Sequence, residues 1–266
     1  MIFAAGKGTR LKPLTDEMPK ALVPVAGKPL IRHVVDKLYA SGFNDFVVNV
    51  HHFADMLEGY GPEIMDGKEM RLRFSDERNE LLETGGGIKH AAPLLNDSDR
   101  FLIHNCDILS NVCLKDFWQE GEEAEATLLV SQRETQRYLI FDGDMRLVGW
   151  TNIKTGEVKS PFPAVHQAFN PKYVGTEIPY AQFFNNNKIV PEMYQLFAFA
   201  GIHQMKTSLL KEMEAWEDKF SIIDFYLAMC HQHVINGCVQ PGLKLLDVGK
   251  LDTLDAAASF LSSLDE

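Results

Sequence analysis

The sequence predicts an α/β fold, a mostly parallel central sheet covered by helices on both faces, and three observations carry that prediction. Short apolar runs alternate with amphipathic stretches through the first hundred residues, the order that a parallel sheet with crossover helices requires. Glycines punctuate the alternation at Gly6, Gly42 and Gly85-Gly86-Gly87. The 266 residues are 45% hydrophobic, enough for one core, and a single domain over residues 1–266 is expected.

Met1 to Ala5 reads as a buried strand that feeds a glycine loop at Gly6. From Pro29, apolar residues recur at Leu30, Ile31, Val34, Val35 and Leu38 before Gly42, which describes an amphipathic helix with glycine just past its end. Phe46 to Val50 is a second buried strand. A helix near Phe53 to Tyr60, a strand at Met70 to Phe74, a helix opening at Gly86 or Gly87 and a strand at Phe101 to His104 follow. Ligands of such sheets bind beyond the carboxyl ends of the strands, so Ala5 to Gly8, His51 and Asn105 to Asp107 are expected to share one rim.

After a strand at Ala126 to Ser131, Tyr138 to Asp142 and Leu147 to Trp150 bracket Gly143-Asp144 as a hairpin. Residues 151–194 hold Pro161, Pro163, Pro171, Pro179 and an asparagine run without sustained period, and read as an irregular lid or substrate loop. A strand from Gln195 to His203 and two helices come next, the second opening at Ser221 with Asp224 as an approximate capping box. A last strand near Leu243 to Leu246 leads through Asp247-Val248-Gly249 into a closing helix, Leu251 to Leu264.

Composition narrows the function. Apolar runs are too short to span a bilayer and no basic-then-apolar leader precedes the first motif, so a cytoplasmic protein without membrane contact is expected. Cys106, Cys113, Cys230 and Cys238 form no C-x-x-C pair, which suggests neither a zinc site nor a disulfide framework. A net charge of −11 argues against nucleic acid as a partner, and no obligate protein partner is evident. Residues 1–28 are the exception, with five basic side chains against two acidic ones, which suits a small anion.

The strongest local signal is Ala4-Ala5-Gly6-Lys7-Gly8-Thr9-Arg10-Leu11, followed by Pro13-Leu14-Thr15 and Pro19-Lys20. Glycines let backbone N–H groups reach phosphate oxygens, while Arg10 adds a planar fork and Lys20 a point charge. A dinucleotide fingerprint lacks its third glycine here and a ribose-binding acid, and a kinase P-loop fails on spacing. A triphosphate fits better.

The stretch AAGKGTRLKPLTDEMPKALVPVAGKPLI, Ala4 to Ile31, resembles the signature of the sugar-1-phosphate nucleotidyltransferases. Glu83-Thr84-Gly85-Gly86-Gly87, Asn105-Cys106-Asp107 and Asp247-Val248-Gly249 resemble later motifs of that family in the right order. The resemblance implies a Rossmann-like, three-layer nucleotidyltransferase fold with a nucleotide-binding half at 1–135 and a sugar-binding half at 136–266. It implies a nucleoside triphosphate and a sugar 1-phosphate as substrates. It also implies Mg²⁺ on Asp107 and Asp247, Arg10 and Lys20 as catalytic cations, and nucleotide contacts from Ala5, Gly6, Gly8, Thr9, Arg10, Glu83, Thr84, Gly85 and Asn105. Two such substrates bring roughly six negative charges together, and the attacking phosphate is largely deprotonated at neutral pH, so metal and cations are needed and a general base is not.

Two family motifs that contact sugar are missing. Ala200-Gly201 stands where many members carry Asn-Gly, and Trp150-Thr151-Asn152 where they carry Glu-Lys-Pro. The pattern looks more like the short subgroup of N-acetylmuramate-1-phosphate uridylyltransferases and mannose- or heptose-1-phosphate guanylyltransferases. UTP with N-acetylmuramate 1-phosphate, in cell-wall recycling, is the leading expectation. GTP with mannose or heptose phosphate, CTP with phosphocholine, and a non-catalytic nucleotide-sugar-binding homologue are the alternatives.

Overall fold

A computed structural model describes residues 1–169 and 193–264. In chain order its elements begin with β1 (Ile2–Phe3), the ribbon β2 (Pro24–Val25) and β3 (Lys28–Pro29), α1 (Leu30–Ala40), β4 (Asp45–Val50), α2 (Ala54–Gly59), α3 (Gly61–Met65), β5 (Arg71–Asp76), α4 (Glu83–Leu95), β6 (Arg100–Asn105) and β7 (Ile108–Ser110). There follow α5 (Leu114–Glu120), β8 (Ala126–Ser131), β9 (Arg137–Phe141), β10 (Leu147–Asn152), β11 (Glu157–Lys159), α6 (Pro163–Ala168), β12 (Gln195–Lys206), α7 (Leu209–Met213), α8 (Ile222–Met229), β13 (Ile235–Val239), β14 (Leu245–Asp247) and α9 (Leu251–Ser262).

The parallel core is β6-β1-β4-β5, with Ile2 in register with Val48 on one side and His104 on the other. Beyond β6 the sheet becomes mixed: β12 is antiparallel to β6 and pairs along its length with both β8 and β9. The strand period of two decides which face each residue buries. Val47, Phe101 and Ile103 join α4, α7 and α8 in one core, whereas Phe46, Val48 and Leu102 join α1, α3 and α5 in the other. That division makes three layers, and the Rossmann-like expectation stands.

Several element boundaries differ from expectation for identifiable reasons. β1 stops at Phe3 because the Ala4 and Ala5 amides donate to the Asn49 side chain, at 2.7 and 3.3 Å, rather than to a strand. α4 opens at Glu83, ahead of Gly86, because the Gly85 and Gly86 N–H groups donate to the Phe220 carbonyl at 2.8 and 3.2 Å. A helix end can start early when tertiary acceptors take its orphan donors. The capping box at Ser221 is only half present: Ser221 Oγ accepts from Ile223 N–H at 3.2 Å, but Asp224 turns away to Lys159. The last strand is Leu245–Asp247, so Asp247 ends a strand and does not cap the closing helix, whose cap is Lys250.

The irregular reading of 151–194 is corrected in part. Thr151 and Asn152 end β10, β11 pairs back onto it, and α6 covers the hairpin through Val165. Residues 170–192 lie outside the described residues.

Candidate active site

The glycine loop leaves β1 at Ala4 and tightens into a 3₁₀ turn at Thr9–Leu11. Gly8 takes φ +61°, and a Cβ there would lie 2.8 Å from Thr15 Cγ2, so only glycine fits. Thr15, itself buried, locks the turn by donating its hydroxyl to the Gly8 carbonyl at 2.8 Å. The Cβ side of Gly6 is open space.

Lys20 is brought back under this loop by its own 3₁₀ turn, after the extended Pro19. Its side chain is buried and its ammonium is ion-paired with Asp107 Oδ2. Asp107 follows the carboxyl end of β6, and the small ribbon of β7 and β14 carries Asp247 to it from the far end of the sequence. Asp247 is in register with Ile108, and Val248 N–H donates to the Asp107 carbonyl at 2.8 Å. Gly249 has no room for a side chain, since a Cβ would sit 2.7 Å from Asp247 Oδ1 and 2.8 Å from Arg10 Nη2. The guanidinium of Arg10 and the second carboxylate therefore flank one glycine.

These elements enclose a cleft of about 620 Å³. Ala5, Gly6, Gly8, Thr9, Arg10, Lys20, Glu83, Thr84, Asn105 and Asp107 all line it. Gly85 does not stand in that wall: its N–H is taken by the Phe220 carbonyl and its α-carbon is pressed against the Phe220 ring. The close packing of α4 on residues 218–220 and on Glu77 accounts for Gly85, Gly86 and Gly87 sterically. Thr84 lines the cleft and also accepts from Ile222 N–H at 2.9 Å, so it caps α8 rather than its own helix. His51, expected on the rim, turns its Nδ1 to the Glu77 carbonyl at 2.7 Å.

The electrostatics separate the two acids. Burial, then the charge of Asp107, push the Asp247 carboxyl above the usual carboxylate range, against the pull of Lys20, Arg10 and Arg133. Asp247 Oδ1 is buried without a hydrogen-bond partner among the described residues.

Two buried residues that support the loop escaped sequence reasoning. Asn49 holds the Ala4 and Ala5 amides through Oδ1 and donates its Nδ2 to Glu77 Oε1 at 2.7 Å. Burial raises the Glu77 carboxyl, and its second oxygen accepts from Leu82 N–H at the start of α4. The one available signal was a polar side chain inside the apolar run Phe46 to Val50.

A cationic turn, a glycine loop and two carboxylates thus share the carboxyl rim of a three-layer α/β sheet, the place where ligands of such sheets bind. The chain belongs to the nucleotidyl transferase family, which it matches over residues 1–140. It is 52% identical over 105 residues to the N-acetylmuramate alpha-1-phosphate uridylyltransferase of Caulobacter vibrioides, across 39% of this chain and 43% of that protein. It is 33% identical over 137 residues to the mannose-1-phosphate guanyltransferase of Gibberella zeae, across 50% of this chain and 37% of that protein. The matched stretches thus span less than half the length of either relative. In three dimensions it resembles the UDP-glucose pyrophosphorylase of Acinetobacter baumanii, with a TM-score of 0.72 and 14% identity over 97% of this chain and 90% of that one. Among the described residues no helix is long and apolar enough to cross a membrane.

Proposed function

We propose that the chain transfers a nucleoside monophosphate from a nucleoside triphosphate to a sugar 1-phosphate, releasing pyrophosphate, with Mg²⁺ as cofactor. The observation that carries this reading is the convergence of Arg10, Lys20, Asp107 and Asp247 beside an open glycine loop. Two carboxylates, one with an oxygen that meets no donor among the described residues, suit Mg²⁺, which commonly takes one or two protein carboxylates and completes its shell with phosphate oxygens and water. Asp107 and Asp247 would hold it, and when bound the ion supplies neutralising charge to the phosphates.

The protein's own groups account for the rest. An oxygen of the sugar phosphate attacks the α-phosphorus, a new P–O bond forms, and the bond to the β-phosphate bridge breaks in line. The nucleophile needs no general base because its second pKa is near 6. Lys20, already paired with Asp107, holds phosphate oxygens near the reacting centre, and Arg10 stabilises the departing pyrophosphate. The loop amides of Gly6 to Thr9 position the triphosphate, with Glu83, Thr84 and Asn105 on the nucleoside side.

UTP with N-acetylmuramate 1-phosphate is the leading substrate pair, supported by the 52% identity to the Caulobacter protein of that name. The test is pyrophosphate release with Mg²⁺, each of the four triphosphates, and a panel of sugar 1-phosphates. UTP with the muramate sugar should turn over fastest. Preference for GTP with mannose 1-phosphate would replace the substrates but keep the reaction. Silence in every mixture, with nucleotide still bound, would sink the enzyme and leave a nucleotide-sugar-binding protein.

A further inference from the structure

The polar groups described so far serve the nucleotide and the reacting centre; the acceptor side of the cleft needs a group of its own. β8 runs antiparallel to β12, and β12 antiparallel to β6, so the carboxyl end of β8 points to the same rim as Asn105 and Asp107. Arg133 lies just past that end and is exposed. Its Nη2 donates to the Phe199 carbonyl of β12 at 3.1 Å.

That carbonyl lies at a break in the ladder. Between Phe199 and His203 the register of β12 against β8 shifts, and Gly201 takes φ +75°. Bulges of this kind turn a strand locally and recur beside active sites. The bulge leans on the cleft wall, because a Cβ on Gly201 would lie 2.8 Å from Asn105 Nδ2. Ala200, buried and apolar, leaves β12 without a side-chain donor at that turn.

Arg133 is thus tethered by a neutral carbonyl, and among the described residues no carboxylate pairs with it. A guanidinium with spare donors, fixed at one corner to the bulge that abuts Asn105 of the cleft wall, is arranged for a bidentate anion. We propose that Arg133 binds the phosphate of the incoming sugar 1-phosphate and orients it for attack. This rests on the nucleotidyltransferase reading.

The test compares Arg133→Ala and Arg133→Lys with the unaltered protein. For Arg133→Ala we expect the KM for the sugar 1-phosphate to rise about tenfold to a hundredfold, the loss of one or two charge-assisted hydrogen bonds. The KM for the triphosphate and the melting temperature should not move, since the side chain is exposed, and Arg133→Lys should recover part of the loss. The same penalty with a neutral hexose 1-phosphate and with N-acetylmuramate 1-phosphate would support a phosphate contact. A penalty confined to the carboxylate-bearing sugar, or an unchanged acceptor KM in an active variant, would overturn it. Calorimetric titration of sugar 1-phosphate into protein preloaded with a non-hydrolysable triphosphate reads Arg133 without turnover. If pyrophosphate release fails with every triphosphate, the enzyme reading fails; equal acceptor affinity of variant and parent in that titration would overturn the Arg133 assignment by itself.

Discussion

Two groups of polar side chains sit on the same sheet and are treated in opposite ways. Inside it, His104 on β6 and His203 on β12 are wholly buried. His203 Nδ1 meets the Tyr226 hydroxyl at 2.7 Å among the rings of Phe3, Phe199 and Tyr226, and His104 Nδ1 donates to the Asn105 carbonyl at 2.8 Å. Burial, which for His104 outweighs its hydrogen bond to Asn105 and the pull of Asp107, pushes them down to about 4 for His104 and about 3 for His203, so both are neutral at pH 7. At the rim a few residues away, Asp107 has Lys20 against it and Asp247 has Lys20, Arg10 and Arg133 within electrostatic reach. Burial neutralises the interior histidines, whereas the rim sets an ammonium against a carboxylate. A site built on such an ion pair can exchange an internal counter-ion for a phosphate or a metal.

The largest effect that would test this contrast is at Asp107. Asp107→Asn keeps the shape and an acceptor for Lys20 but removes the charge, so turnover should fall about 10²–10³-fold, the scale of losing one preorganised electrostatic group. Circular dichroism should show the fold retained. Unchanged turnover would remove the acid from the reaction.

Of intermediate size is the acid sensitivity contributed by the interior histidines. Their folded pKa values lie below the ordinary 6.5. The unfolded chain therefore takes up protons first, and stability that is complete above pH 6.5 is lost as pH falls from there toward 4. Each histidine contributes up to about 1.4 kcal/mol per pH unit in that window. Melting curves between pH 7.5 and 5 should show this slope, and His203→Gln should make it shallower. An unchanged slope would mean that His203 is not the buried neutral group described.

The smallest expected effect is at Asp247, and it sharpens the contrast because the sign reverses. Its folded pKa is raised, so the stability it contributes is complete below the ordinary carboxylate pKa and is lost as pH rises through the folded value. Asp247→Asn should therefore raise the melting temperature at pH 7 in chelated buffer by about 2–4 °C, the shift that ~1 kcal/mol produces in a chain of this size. The gain should shrink as pH approaches 4. Added Mg²⁺ with triphosphate should stabilise the parent protein more than the variant, and equal stabilisation would argue against Asp247 as a ligand.

Much of this was legible in the residues themselves. The strand-helix alternation predicted the layers, and the turn from Gly6 to Lys20, with Asp107 and Asp247, predicted which side chains meet. What escaped was decided by partners distant in sequence. Gly85 read as a nucleotide contact, whereas Phe220 presses on it, as Asp218 and Glu77 press on the two glycines that follow. Asn49 read as one more strand residue because its partners, the Ala4 amide and Glu77, are distant in sequence. Arg133 carried no motif at all.

By itself the sequence determined the periodicities, the positions where only glycine fits a left-handed turn such as Gly8, and the chemical inventory of two acids and a cluster of cations. These are local properties, set by backbone sterics and by side-chain chemistry within a few residues. Only the tertiary structure decided that β14 would lay Asp247 beside Asp107, that Arg133 would be tethered to the Phe199 carbonyl of β12, and that His203 would be sealed away and Lys20 paired with Asp107. Those outcomes depend on which surfaces are brought together and how much water each contact excludes, and neither quantity is written in neighbouring residues.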